Sequence, residues 1–271
     1  MKIIHLSDLH IGRSNNDENA GILFKRIDEK YSDEKDNIVI IITGDLVNDG
    51  ERRQYEHTAR LLSILRNKKY KVLTCPGNHD YGKSGLNARS INIDNYAKYL
   101  DLDINFPVVN KINNCHFIAL DSMDDERDGA DRFGAEGEIG QLQLMELNFI
   151  LENIKENSPD DKIILYLHHH PFFYGIFGLL RLKDADELKE IIKNKVNILL
   201  FGHKHIEKRF NDNTNKNSNK ENKYKINVIL ASKKTTDIEK GKLKDTIDKP
   251  VFRFYEIDAD NYNANPVEVL V

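Results

Sequence analysis

Five short segments of this sequence carry side chains suited to binding transition metals. They are Asp8-Leu9-His10, Gly44-Asp45, Gly77-Asn78-His79-Asp80, His168-His169-His170-Pro171 and Gly202-His203-Lys204-His205. Carboxylate oxygens and neutral imidazoles are good ligands for Zn, Mn, Fe or Co. In an extended segment, residues i and i+2 face the same side. Asp8 and His10 are therefore expected to point together with Leu9 turned to the core, and His203 and His205 together with Lys204 turned away. Gly44, Gly77 and Gly202 permit tight turns and close backbone approach. A single D-x-H is uninformative, whereas five such segments are hard to explain as core residues that merely satisfy one another.

The elements around these segments explain how they could meet. Strand patterns run over Lys2–Ser7, Ile38–Thr43, Tyr70–Cys75, Lys162–Leu167 and Val196–Phe201, and each of the five segments follows one of them. Ile38–Thr43 is a continuous apolar run, as expected of a strand buried on both faces. Helical patterns fall at Ala20–Lys30, Glu51–Asn67, Gln141–Glu156 and Ala185–Lys193. The Glu51–Asn67 stripe consists of Tyr55, Ala59, Leu62 and Leu65. Cys115–Leu120 is a further strand. Beyond Phe201, Ile226–Ala231 and Val251–Ile257 read as strands without intervening helices, so βαβ units give way to a β-meander. The carboxyl ends of strands in α/β sheets are where ligands bind.

Length and charge narrow the function. The 271 residues are enough for a sizeable core, and a single domain over 1–271 is expected. The net charge of -4 argues against stable, sequence-independent nucleic-acid binding, which needs a basic surface. Cys75 and Cys115 are too few for a disulfide framework and lack a metal-ligand spacing. The N-terminal residues lack the apolar stretch of a signal peptide, and no run approaches the roughly 18 apolar residues of a transmembrane helix. A cytoplasmic protein is the expectation. Residues 212–222 are polar and low in complexity and read as a surface loop. The apolar stretch 172–182, Phe-Phe-Tyr-Gly-Ile-Phe-Gly-Leu-Leu-Arg-Leu, reads as an inward-packed loop, a lid extending to residue 183, or a contact surface for a homodimer or a lipid-like substrate.

In order and spacing, the five motifs resemble the calcineurin-like metallophosphoesterases, from Met1 to about Ile206. The resemblance implies an α-β-β-α sandwich, two facing mixed β-sheets flanked by helices. It also implies two divalent metal ions (Mn, Fe, Zn or Co). One would be held by Asp8, His10, Asp45 and His205, and the other by Asp45, Asn78, His168 and His203. Asp45 would bridge, its two oxygens shared between ions about 3.5–4 Å apart. His79 matches the family's phosphate-contacting histidine and Asp80 the acidic residue that orients it. Of the triplet, His168 matches the ligand, and His169 would stand behind it. The implied reaction is hydrolysis of a phosphodiester or another small phosphorylated substrate by in-line attack of a hydroxide held between the ions.

A charge count favours a diester. Two carboxylates and two divalent ions leave +2, which a hydroxide and a phosphodiester neutralise, while a monoester dianion overshoots. The region around Leu180–Leu188 is similar to the class III cyclic-nucleotide phosphodiesterase branch, but Lys183-Asp184 departs from that branch's asparagine-containing pattern, so the substrate does not carry over. A nuclease of the same superfamily is the alternative; the acidic charge and short chain weigh against it. A non-catalytic scaffold would be expected to have lost ligands, and here every ligand position is filled.

Overall fold

The computed structural model describes residues 1–83, 90–100, 104–123, 136–172, 180–210 and 224–271. In chain order the elements are β1 (Lys2–Leu6), α1 (Asn16–Tyr31), β2 (Ile38–Thr43), α2 (Arg52–Arg66), β3 (Lys71–Cys75), α3 (Ser90–Leu100), β4 (Val108–Ile112), β5 (Cys115–Ala119), α4 (Gln141–Asn157), β6 (Lys162–Tyr166), α5 (Ala185–Ile192), β7 (Ile198–Phe201), β8 (Lys208–Arg209), β9 (Val228–Ala231), β10 (Glu239–Lys240), β11 (Pro250–Asp258) and β12 (Asn263–Leu270).

The strands form two six-stranded mixed sheets. One runs β10-β11-β1-β2-β3, with β12 also paired to β11, and the other β4-β5-β6-β7-β9-β8. Strands β1, β2 and β3 are mutually parallel, as are β5, β6, β7 and β9, and antiparallel strands complete both sheets. The alternation of side chains along each strand divides the apolar residues into three layers. Ile3, Val39 and Ile41 of the first sheet meet Phe117, Ile164, Ile198 and Leu200 of the second, so the sheets face each other. Ile4, Ile40 and Ile42 turn outward onto Leu23, Phe24, Leu62 and Leu65 of α1 and α2. Ile118, Leu165 and Leu199 turn the other way, onto Leu144, Leu147 and Leu188 of α4 and α5. The result is the expected helix–sheet–sheet–helix sandwich. All six residues of β2 are buried, and each large apolar side chain there contributes about 1.5–3 kcal/mol.

The last strands differ from the expected meander. β9 joins the second sheet parallel to β7, while β11 and β12 form a hairpin that adds to β1. The buried anchor of that region is Glu268. It accepts from the backbone N–H groups of Lys242 and Leu243, from Thr246 Oγ1, and from Arg253 Nε and Nη2. Burial alone would raise its pKa, but these donors hold it down at about 2. A carboxyl with a folded pKa below its unfolded value stabilises the fold above the unfolded pKa of about 4.3. That stability is lost as pH falls toward 2. Glu268→Gln should lower stability at pH 7 by about 1–3 kcal/mol, because its donors lose a charged acceptor while Arg253 keeps Glu207 at 3.3 Å, and should flatten the decline between pH 4.5 and 2. Thermal melts across that range check both.

Of the segment 172–183, residues 173–179 lie outside the described residues, as does all of 212–222. Of the flanks, the Phe172 ring stacks on Phe210 at 5.6 Å and Leu182 is buried, while Leu180 and Arg181 are exposed. Among the described residues no helix is long and apolar enough to cross a membrane.

Candidate metal centre

The carboxyl ends of β1, β2 and β3 in one sheet, and of β6 and β7 in the other, open onto a common edge. All seven expected ligands converge there. Their backbones are not extended, however. Asp8, His10, Asp45, His203 and His205 adopt φ values of 55°, 48°, 50°, 72° and 50°. The i, i+2 argument therefore reached the right convergence by the wrong geometry. The left-handed region costs an L-residue about 1–2 kcal/mol, and it persists where surroundings over-determine the backbone. Here Asp8 N donates to Gly44 O at 3.1 Å, and His10 N to Asp45 O at 2.9 Å, so the first two motifs hold each other.

The donor atoms fall into two sets. In the first, Asp8 Oδ1 and His205 Nε2 are 3.2 Å apart, His10 Nε2 and His205 Nε2 3.3 Å, and His10 Nε2 and Asp45 Oδ2 3.6 Å. In the second, His168 Nε2 lies 3.4 Å from Asp45 Oδ2 and 3.1 Å from Asn78 Oδ1. His203 Nδ1 completes it, 3.1 Å from Asn78 Oδ1 and 3.2 Å from His168 Nε2. Donors about 2.1 Å from one shared ion stand roughly 3.0–3.4 Å from each other; six of these seven pairs fall in that range, and His10–Asp45 lies just beyond it at 3.6 Å. The space between them is kept by glycines: a Cβ at Gly44 would meet His168 Nδ1 at 2.4 Å, and one at Gly77 would meet Asp45 Oδ1 at 2.4 Å.

Asp45 stands between the two sets. Oδ2 faces both sets, and Oδ1 accepts the His79 N–H at 2.8 Å. Burial would raise its pKa, but the imidazoles of His168, His79 and His10 hold it well below the usual carboxylate range. Asp8 is likewise held down against burial, by the hydrogen bond from His205 and the field of His168. Burial depresses His10 to about 4 and His203 well below its usual value, leaving both rings neutral as ligands must be. His168 differs: burial opposes its charge, yet Asp45 raises it to about 9. His168 Nδ1 donates to Thr43 O at 2.8 Å, which turns Nε2 toward the set.

The sequence model of the calcineurin-like phosphoesterases matches residues 1–207. The chain belongs to the calcineurin-like phosphoesterase family. It is 25% identical, over 79% of its length and 82% of the relative's, to a probable cyclic nucleotide phosphodiesterase of Xenorhabdus bovienii. It is 28% identical to the 3',5'-cyclic adenosine monophosphate phosphodiesterase CpdA of Escherichia coli K12, over 62% of this chain and 54% of that protein. Two solved structures share the fold. A dimetal phosphatase from Danio rerio superposes with a TM-score of 0.58 at 11% identity, covering 99% of this chain and 98% of the other. A purple acid phosphatase from yellow lupin gives 0.65 at 14% identity, over 99% of this chain and 51% of that one. The family is generally dependent on two metal ions, acts on small phosphorylated substrates, and supports a metal-dependent phosphoesterase here.

The structure also shows what holds these calcineurin-like motifs in place. Asp80 does not orient His79. Its carboxylate accepts from the backbone N–H groups of Leu46, Val47 and Gly77 and from Tyr55 Oη, and so ties the second motif to the third. Burial and the Asp45 charge push it up to about 7 against those donors. The His79 ring is instead held by main chain: Nδ1–H donates to Asn48 O at 2.7 Å. A carbonyl partner cannot be seen in a side-chain pattern. His169 stands behind the site, bonded through Nδ1 to Ser122 Oγ at 2.7 Å, with its ring 4.4 Å from that of His203. Asp184, in the departing Lys183-Asp184 pair, accepts from the N–H groups of Ile139 and Gly140 just before α4. Lys183 pairs with Glu138 at 3.3 Å.

Proposed function

We propose that this calcineurin-like phosphoesterase hydrolyses phosphodiesters, using two divalent ions bound by Asp8, His10, Asp45 and His205 and by Asp45, Asn78, His168 and His203. The observation that carries the reading is the single Asp45 oxygen shared by two donor sets of coordination spacing. Ions in those places would supply Lewis acidity and lower the pKa of water toward 7. The chain's own residues supply the rest. A His79 ring nitrogen lies within 4.8 Å of the donor atoms of His10 and Asp45. With Nδ1–H committed to the Asn48 carbonyl, Nε2 is the ring atom left to carry a proton to the leaving oxygen or to contact the phosphoryl group. Asp80 holds the two loops that fix the spacing between His79 and Asp45. With a hydroxide also counted, the filled site would keep +1, which a diester anion matches better than a monoester dianion. The names of the similar proteins make cyclic nucleotides the first diesters to try.

Turnover of bis-p-nitrophenyl phosphate and of p-nitrophenyl phosphate with Mn, Zn, Co or Fe tests the proposal. Metal-dependent, chelator-sensitive hydrolysis that favours the diester is expected. Protein shown to contain metal yet inert toward both compounds would sink it. His79→Ala should lower turnover by about 10²–10⁴ with metal content near that of the wild type. If metal is lost as well, His79 is a ligand rather than the proton-carrying group.

A further inference from the structure

Asp8 has one oxygen in the first donor set and one outside it. The outer oxygen, Oδ2, accepts from Ser7 Oγ at 2.5 Å and from the His203 N–H at 3.2 Å. Ser7 is completely buried and lies at the end of a chain of hydrogen bonds that runs back through the inter-sheet layer. His5 Nε2 is 3.0 Å from Thr43 Oγ1, and Thr43 Oγ1 is 2.9 Å from Ser7 Oγ.

Counting hydrogens gives the chain a direction. The one Ser7 hydroxyl hydrogen has two candidate acceptors, Asp8 Oδ2 at 2.5 Å and Thr43 O at 2.9 Å. The ionised carboxylate at the shorter distance takes it, since charge-assisted bonds are the stronger. Ser7 Oγ is then the acceptor for Thr43 Oγ1–H, and Thr43 Oγ1 the acceptor for His5 Nε2–H. Every donor points toward Asp8, and bonds aligned in this way strengthen one another.

The main chain at Ser7 is fixed as well. Thr235 donates to Ser7 O through its N–H at 3.1 Å and its hydroxyl at 3.0 Å, and Thr236 Oγ1 donates to Leu9 O at 3.2 Å. Thr235 and Thr236 lie beyond residue 207, where the family match ends. The residues on either side of Asp8 are thus clamped from the C-terminal part of the chain, while its outer oxygen is clamped by Ser7.

We propose that Ser7 is a positioning residue for the first metal ion, and that the His5–Thr43–Ser7 chain fixes Asp8 Oδ2 so that Oδ1 is turned toward His10 and His205. This rests on the two-ion reading above. Hydrogen-bond partners of metal ligands commonly change metal affinity by 10–100-fold. The effect should fall on one ion only, because Asp8 belongs to one donor set.

Calorimetric Mn²⁺ titrations isolate each half. In an Asn78→Ala background, which cripples the second set, Ser7→Ala should weaken Mn²⁺ binding 10–100-fold. In a His205→Ala background, which cripples the first, Ser7→Ala should change Mn²⁺ affinity less than twofold. Thr43→Val, which keeps the shape and removes the hydroxyl, should act in the same direction as Ser7→Ala, and Thr43→Ser should restore affinity. Equal losses in both backgrounds would mean a general structural defect and overturn the proposal, as would no loss in the Asn78→Ala background. Absence of Mn²⁺ binding by the wild-type chain would instead overturn the two-ion reading and the inference with it.

Discussion

Asp45→Asn should empty both halves of the centre and lower kcat/KM by on the order of 10³-fold, or ~4 kcal/mol of transition-state stabilisation. The substitution is nearly isosteric, so the effect is chemical. Asp45 Oδ1 accepts the His79 N–H at 2.8 Å, and that position requires an acceptor. An asparagine that keeps this bond must place its NH₂ where Oδ2 stands, 3.4 Å from His168 Nε2 and 3.6 Å from His10 Nε2. The NH₂ group has no lone pair to offer a cation and points hydrogens into both donor sets. The flipped amide restores an oxygen toward the ions but sets NH₂ against the His79 N–H. Neither rotamer supplies the negative charge shared between the sets. His168, raised to about 9 by the neighbouring carboxylate, should fall in the variant. Metal content by mass spectrometry together with turnover of bis-p-nitrophenyl phosphate checks this. Retention of one ion at wild-type affinity would show that the halves stand independently and that the shared oxygen is not their link.

The site was legible in the sequence because its chemistry sits in side chains at strand ends. Ile38–Thr43 appears in the structure with those bounds, and Gly44-Asp45 follows it. What the sequence hid was carried by backbone. The left-handed conformations of Asp8, His10, Asp45, His203 and His205 depend on hydrogen bonds between motifs far apart in the chain, such as Asp8 N to Gly44 O. The partner of the His79 ring is a carbonyl, and the donors around Asp80 and the acceptor of His168 are read only once the loops are folded together. The bond of buried His5 to Thr43 crosses from β1 to β2 and required the register. Edge elements were lost for a different reason. β4 (Val-Val-Asn-Lys-Ile) is only partly buried, and β12 contains Pro266, tolerated because the strand lies at the sheet's edge beside β11.

Gly202→Ala should damage both the fold and the metal centre. Gly202 is not in the left-handed region, so the whole cost is steric. A Cβ there would lie 1.9 Å from Ser7 Oγ, 2.7 Å from Asp8 Oδ2 and 3.0 Å from Thr43 O. Ser7 cannot give way cheaply, because its hydroxyl is bonded to Asp8 and Thr43 and its main chain to Thr235. Nor can the 202–204 backbone. Gly202 N donates to His168 O at 3.0 Å, Lys204 N to Gly202 O at 2.9 Å, and His203 N to Asp8 Oδ2 at 3.2 Å. Any shift that relieves the clash moves His203, of the second donor set, or His205 or Asp8, of the first. Overpacking of this kind costs about 1–3 kcal/mol, and displaced ligands should add a loss of metal affinity of 10-fold or more, by analogy with disturbed ligand support. Gly21→Ala is the matched control. It adds the same methyl in α1, where the new atom would meet Leu61 Cδ2 at an ordinary 3.5 Å, and should stabilise the chain by ~0.5–1 kcal/mol through helix propensity. Thermal melts and Mn²⁺ titration of both variants separate the effects: opposite signs in melting temperature, with metal affinity lost only at Gly202, are expected. A Gly202→Ala protein with wild-type melting temperature and metal affinity would show that the contact between the strand-end glycine and Ser7 is looser than the structure places it.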